Sequence, residues 1–311
     1  MLEHLHINLP NCELSILVRK GNEVLYENHP YLKKVFVWQK KTHKYKSLAE
    51  LVLKIRSAQF DSVINLQRHT ASAFMTVCAG AKTTIGFSSN WLSLFFSDRI
   101  RHRIANKGDA QCPHEVQRCI ALTRHLAPER FTLPRLYPSI QDFNATHKYT
   151  QKPFITISPS SVWATKQAPS TVWQRVIERH THVEVYVLGG PDDLPLCEAL
   201  AAKYSNTHVL AGQLTLLQSA ALMSLAQMNY TNDSAPMHLC TAMNAPVTAI
   251  FCSTVPEFGF GPLSSVSRIV QTSEVLACRP CGIHGHAACP KGHFKCGAIS
   301  DADLFSPAHS A

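Results

Sequence analysis

The hydrophobic positions of this chain switch repeatedly between two periods. Leu48, Leu51, Val52 and Ile55 recur at i, i+3, i+4 and i+7, the stripe of an amphipathic helix. Short runs rich in β-branched and aromatic residues at 13–19, 34–38, 62–66, 83–87, 154–159, 183–190, 208–210 and 247–251 predict strands. Helical stretches are predicted between them, at 22–28, 48–55, 72–79, 114–126, 172–180, 194–204, 214–227 and 237–243. Strands alternating with helices predict an α/β protein with parallel pairing and helices on both faces of each sheet. The pattern fades between Pro128 and Pro153, so the chain divides into a first domain at 1–130, a linker at 131–152 and a second domain at 153–311. Two successive α/β blocks predict two Rossmann-like domains facing across a cleft, with ligand at the carboxyl ends of the strands.

Two long stretches without charge, 204–232 and 234–256, have the length of a membrane span. The first is laced with Asn206, His208, Gln213, Gln218 and Gln227, and the second is broken by Pro236 and Pro246, so both predict buried soluble structure. Length agrees with two domains, since 311 residues exceed one ordinary core. A hydrophobic content of 45% with only 16% charged residues excludes a disordered chain.

Charge narrows the choice of partner. Thirty Lys and Arg against 21 Asp and Glu give +9, before 17 His are counted, which points to an anionic substrate or surface. Eleven cysteines, an odd number, and the lack of an N-terminal signal pattern argue against a secreted disulfide framework and for the cytoplasm.

Three segments carry candidate chemistry. In SPSSVWATK (158–166), which follows a strand, Ser160 and Ser161 allow close approach of a phosphate and Lys166 supplies a positive charge. GGPDD (189–193) closes a strand, where Asp192 or Asp193 suits a ribose hydroxyl as well as it suits a helix N-cap. TNDSAPMH (231–238) places Asp233 and Ser234 where a helix begins, with Pro236 in its first turn. The free amides of Ser234 and Ala235 then point out of a positive helix end, and His238 lies one turn in. A diphosphate fits that arrangement, as does a simple capping Asp beside a solvent-facing His.

Taken together, in this order and spacing, these segments resemble glycosyltransferase family 9, the ADP-heptose:lipopolysaccharide heptosyltransferases, and within it the heptosyltransferase II type. The resemblance extends over about residues 9–296 and includes LVRKGNEVLYENHPYL (17–32), HEVQRCIALTRHL (114–126), IFCSTVPEFGFGPLS (250–264) and CRPCGIHGHAACPKGHFKC (278–296). It implies the GT-B architecture, an acceptor-side first domain, a nucleotide-sugar second domain, and inverting transfer of heptose from ADP-heptose to the lipid A and inner-core acceptor without a metal or other cofactor. By the same resemblance Lys166 stabilises the departing diphosphate, Ser160 and Ser161 contact it, and Asp192 or Asp193 holds the ribose. Asp233, Ser234, Ala235 and His238 then form the diphosphate and sugar site. The implied location is cytoplasmic, with peripheral attachment to the inner face of the inner membrane. The heptose I and heptose II acceptors stay open, and nothing sets an oligomeric state.

The sequence departs from the family pattern in places. Ser160 and Ala235 stand where the family usually has Gly, and Gln167-Ala168 replaces a common Arg-Trp. Residues 1–9 resemble the end of a helix, so the family's opening strand and its Gly-Asp loop, which bears the candidate general base, are expected to be missing from the first domain, a piece of roughly 20 to 25 residues. Glu3, His4 and His6 lie near that end, but nothing places them on an acceptor. The alternative expectation is therefore a family remnant that binds nucleotide sugar without turning it over.

Cys278, Cys281, Cys289 and Cys296, with His284, His286 and His293 between them, have the spacing of a structural zinc site. The family resemblance implies no metal, and a packed, reduced cysteine cluster is the preferred expectation. A basic zinc-ribbon protein binding nucleic acid is disfavoured because the tail lacks clustered Lys and Arg interleaved with aromatic residues.

Overall fold

Every strand pairing among the described residues is parallel, as the alternation of strand and helix predicts. The computed structural model describes residues 1–40, 44–105 and 112–305. Residues 306–311, the end of the expected second domain, lie outside the described residues. The described chain forms two compact units: the first comprises Met1–Ile104 and the residues from Cys112 to Pro134, the second Ala105 and the residues from Arg135 onward.

The first unit begins with α1 (Leu2–Asn8), β1 (Leu14–Arg19), β2 (Leu32–Trp38), α2 (Lys44–Ser57) and β3 (Ser62–Asn65). It continues with α3 (Thr70–Val77), β4 (Thr83–Phe87), β5 (Asp98–Ile100) and α4 (Glu115–Ala121). The predicted stripe of α2 does face inward: Leu51 and Ile55 bury against Phe36, Trp38 and Met75, with Leu48 and Val52 at the margin. The strands form two sheets, β1-β2 and β3-β4-β5. Among the described residues β1 and β3 each have a strand partner on one side only. α4 is shorter than predicted; residues after Ala121 continue as turns.

The second unit contains α5 (Ile140–Thr146), β6 (Phe154–Ser158), α6 (Ser170–Arg179), β7 (Glu184–Val187), α7 (Leu194–Ala201) and β8 (Thr207–Val209). It is completed by α8 (Leu216–Leu225), β9 (Asn229–Asn232), α9 (Ala235–Met243), β10 (Val247–Phe251), β11 (Ser267–Gln271) and α10 (Asp301–Phe305). Its six strands form one sheet in the order β11-β10-β9-β6-β7-β8. Val172, Trp173, Val176 and Ile177 form the buried face of α6 and pack with Ile155, Ile157, Val185 and Val187 of the sheet. The stretch 131–152, expected as a linker, carries α5, opened by a capping box in which Ser139 and Asp142 exchange hydrogen bonds with each other's backbone amides. The charge-free stretches resolve into β8, α8 and β9, then α9 and β10, and no described helix is long and apolar enough to cross a membrane.

Periodicity predicts neither β5, β9 nor β11. The omission of β9 has a clear physical cause. Its four residues, Asn229, Tyr230, Thr231 and Asn232, are all buried at the centre of the sheet although three are polar. The two asparagines are tolerated because their side-chain amides are hydrogen-bonded. Asn229 Oδ1 accepts from Thr156 Oγ1 at 2.6 Å, and its Nδ2 donates to the carbonyls of Met223 and Pro246 at 3.0 and 2.8 Å.

Candidate functional site

Three loops meet at the carboxyl ends of β6, β9 and β10, the side on which parallel sheets bind ligands. The loop after β6 carries Ser160, Ser161 and Lys166. β9 ends directly before Asp233, and β10 runs into Cys252, Ser253 and Thr254.

Lys166 Nζ lies 2.6 Å from Asp233 Oδ2, and both side chains are largely buried. The same oxygen accepts a hydrogen bond from Thr254 Oγ1 at 2.7 Å. Asp233 is anchored through its backbone as well, its N–H donating to Ile250 O at 3.0 Å. A carboxylate held by a lysine and a hydroxyl has its direction set before any ligand arrives. It does not cap α9. Ser234 is the N-cap, in extended backbone and without a side-chain cap bond, and Pro236 occupies the first turn. The outward amides at Ser234 and Ala235 thus stay available at the positive end of a nine-residue helix. Ala235 and His238 are both exposed there.

Asn232 ties two of these loops together. Its Oδ1 accepts from the Ala168 amide at 2.9 Å and its Nδ2 donates to Pro159 O at 2.8 Å. Gln167 closes the same loop by donating from Nε2 to Ser161 O at 2.7 Å. Ser160 and Ser161 are half-buried on this loop, beside exposed Val162 and Trp163. Neither Ser160 nor Ala235 adopts positive φ, so the backbone conformation at these two positions is one that any residue accepts.

The two acidic candidates after β7 separate. Asp193 Oδ2 accepts from the Gly190 amide at 2.7 Å and so stabilises its own turn. Asp192 is exposed.

The cysteine-rich segment buttresses the site from behind. Thr165, next to Lys166, exchanges two hydrogen bonds with His286: the His286 amide donates to Thr165 Oγ1 at 2.8 Å, and the Thr165 amide donates to His286 O at 3.1 Å. Arg279 donates from Nε to Cys252 O at 2.6 Å and from Nη2 to Thr254 O at 2.8 Å, holding the loop that bears Thr254. Gly285 has φ +79°, and a Cβ there would lie 3.0 Å from Thr165 Oγ1 and 3.1 Å from Lys166 Cγ. Inspection of the sequence does not single out Asn232, Thr254, Arg279 or Gly285. Their only local signal is position, just past a strand or inside the cysteine-rich run.

The cysteines themselves are all free. Cys278 Sγ lies 3.8 Å from His293 Nε2, Cys281 Sγ donates to Cys278 O at 3.2 Å, and Cys296 is buried in the core of the second unit. Among the described residues no three His, Cys, Asp or Glu side chains gather as a metal-ligand group, so the zinc-like spacing of Cys278, Cys281, Cys289 and Cys296 is not matched by a gathered ligand set. Burial pushes the Cys296 thiol up to about 11 and those of Cys197, Cys240 and Cys252 up to about 12.

Comparison with known proteins places this geometry in a context. The model of glycosyltransferase family 9 (heptosyltransferase) matches residues 48–284. The chain is 24% identical to the lipopolysaccharide core heptosyltransferase OpsX of Haemophilus influenzae, over 88% of this chain and 80% of that protein. Among solved structures, a family 9 glycosyltransferase of Veillonella parvula superposes with a TM-score of 0.77 at 20% identity, covering 87% of this chain and 80% of that one. The E. coli ADP-heptose LPS heptosyltransferase II superposes with a TM-score of 0.74 at 19% identity, covering 92% and 86%.

Proposed function

This chain belongs to glycosyltransferase family 9, and we propose that it transfers heptose from ADP-heptose to the inner core of lipopolysaccharide, with inversion at the anomeric carbon. The observation that carries the proposal is the Lys166–Asp233–Thr254 arrangement at the start of α9. The names of the relatives point to the same donor and acceptor.

The donor's diphosphate sits against the amides of Ser234 and Ala235 and the hydroxyls of Ser160 and Ser161, with Lys166 beside it. As the bond from the anomeric carbon to the diphosphate oxygen breaks, its electron pair passes to ADP, and the negative charge grows where Lys166 and the α9 N-terminus are positive. The acceptor hydroxyl forms the new bond from the opposite face of the sugar and releases its proton to solvent water. Asp233 keeps Lys166 aimed, because a flexible ammonium loses less freedom on binding when it is already held. His238 lies within a helical turn of the same end and contacts phosphate or sugar. Of the two acidic candidates, Asp192 is the one proposed for the ribose, since Asp193 is committed to its turn.

The test is incubation of the full chain with ADP-heptose and a lipid A acceptor carrying the inner core, followed by mass spectrometry. Gain of one heptose on the acceptor with release of ADP is expected. Protein that is stabilised against heat by millimolar ADP but yields no product would support donor binding alone. No thermal shift with ADP and no product would overturn the proposal.

A further inference from the structure

The crossover from β4 to β5 carries a short 3-10 turn, Trp91–Phe95, with apolar side chains on both its sides. Leu92 and the following Phe96 point inward and pack on Ala73 and Val77 of α3. The Phe96 ring also covers Gly86 of β4, where a Cβ would meet it at 2.5 Å. Trp91, Leu94 and Phe95 point the other way and are 65%, 66% and 63% exposed. Single exposed apolar residues need no explanation, but three large ones on one turn do.

The basic residues beside them are placed by strand register. Gly86 pairs with Arg99, so Arg99 emerges on the face of the sheet where the turn lies. Phe87 pairs with Ile100, and both pack on the opposite face with Leu122. Arg101 directly follows the strand, and Arg99 and Arg101 are both exposed. The one acidic residue between 88 and 105, Asp98, is taken by Arg124 Nη2 at 2.7 Å and by His125 at 3.3 Å. The surface therefore combines three protruding apolar side chains with a cationic flank.

We propose that this turn docks the first unit on an anionic lipid bilayer, with Trp91, Leu94 and Phe95 entering the headgroup and acyl boundary and Arg99 and Arg101 facing the lipid phosphates. The inference goes beyond the proposed reaction and does not depend on it. Two physical arguments choose lipid over a second copy of the chain. A symmetric contact through this turn would set Arg99 and Arg101 against the same cations of the other copy. Three side chains also fall well short of the roughly 1,200 Å² of total buried surface that a stable protein interface needs. A bilayer needs less, because shallow apolar insertion and attraction to anionic headgroups are two signals that act together.

The experiment is co-sedimentation of the full chain with vesicles of phosphatidylethanolamine and phosphatidylglycerol, and with phosphatidylcholine alone. Binding to the anionic vesicles that weakens with salt is expected. The variant Trp91→Ser/Leu94→Ser/Phe95→Ser should lower the partition at least about ten-fold. Arg99→Gln/Arg101→Gln should remove the preference for phosphatidylglycerol. A readout on otherwise intact protein guards against misfolding of the triple variant: bromine-labelled lipid should quench tryptophan fluorescence of the native chain, and Trp91→Phe should lose that quenched part. Failure to bind anionic vesicles, quenching unchanged in Trp91→Phe, or undiminished binding by a triple variant that melts like the native chain would overturn the proposal. So would a concentration-dependent dimer that the triple variant abolishes.

Discussion

Lys166 Nζ and Asp233 Oδ2 stand 2.6 Å apart, joined at the same oxygen by Thr254 Oγ1 at 2.7 Å. Two loops after different strands thus share one carboxylate, and each partner's loss should be felt by the other. Lys166→Met is expected to lower kcat/KM about 10²–10³-fold, the usual effect of removing one group that stabilises transition-state charge. Asp233→Asn should lower activity and also cost roughly 1–3 kcal/mol of stability, because it leaves a largely buried ammonium without its counter-charge. A double-mutant cycle read by calorimetry checks the pair; additive losses would show that the contact is not energetically coupled.

Gly285→Ala should damage the site without replacing any of the residues proposed to bind the donor. The added Cβ would press on Thr165 Oγ1 and Lys166 Cγ from a backbone at φ +79°, where alanine is strained. The expected result is a fall in kcat/KM of about ten-fold or more with the fold preserved by circular dichroism. Activity equal to that of the native chain would mean that the cysteine-rich segment does not position Lys166.

Asn232→Ala removes the acceptor of the Ala168 amide and the donor to Pro159 O in the middle of the second sheet. Leaving the amide unsatisfied should cost about 1–3 kcal/mol, seen as a lower denaturant midpoint. Weaker stabilisation by ADP should accompany it, because the loop bearing Ser160, Ser161 and Lys166 loses its tie. Asn232→Asp, which keeps one acceptor, should be intermediate in stability.

Acid should destabilise the protein through its histidines. Burial holds His4, His29, His102 and His180 below their ordinary value of 6.5, with Glu3 and Glu115 pulling His29 and His102 partly back up. A depressed histidine is neutral in the folded chain, so as pH falls below 6.5 the unfolded chain takes protons first and stability is lost until the folded pKa is passed. Above 6.5 the contribution is fully present. Each full proton of difference gives a slope of about 1.4 kcal/mol per pH unit. Tm should therefore hold level from pH 7.5 to about 6.5 and fall from there to pH 5, less steeply in His180→Asn; no fall below 6.5 would contradict the assignment.

Cys289 should be the first thiol to react with iodoacetamide near neutral pH. Backbone amides, led by those of Phe294 and Lys291, hold its pKa below the ordinary thiol value, whereas burial raises those of Cys197, Cys240 and Cys252 to about 12. Peptide mapping after brief labelling checks the order, and early labelling of Cys240 or Cys252 would show that the second unit opens locally.

Local pattern carried much of this protein. The stripe at Leu48, Leu51, Val52 and Ile55 and the β-branched runs were enough for α/β structure with parallel sheets, because side-chain period follows directly from backbone geometry. The order of the SPSSVWATK, GGPDD and TNDSAPMH segments was likewise enough to suggest a diphosphate site. β9 escaped that logic: Asn229 and Asn232 are stable in a central strand through hydrogen bonds to Thr156, Met223, Pro246, Pro159 and Ala168, partners that only folding brings near. The pairing of Lys166 with Asp233 and the grip of Arg279 and Gly285 on the site arise in the same way. Each depends on distances across the sheet, which no periodicity along one chain encodes.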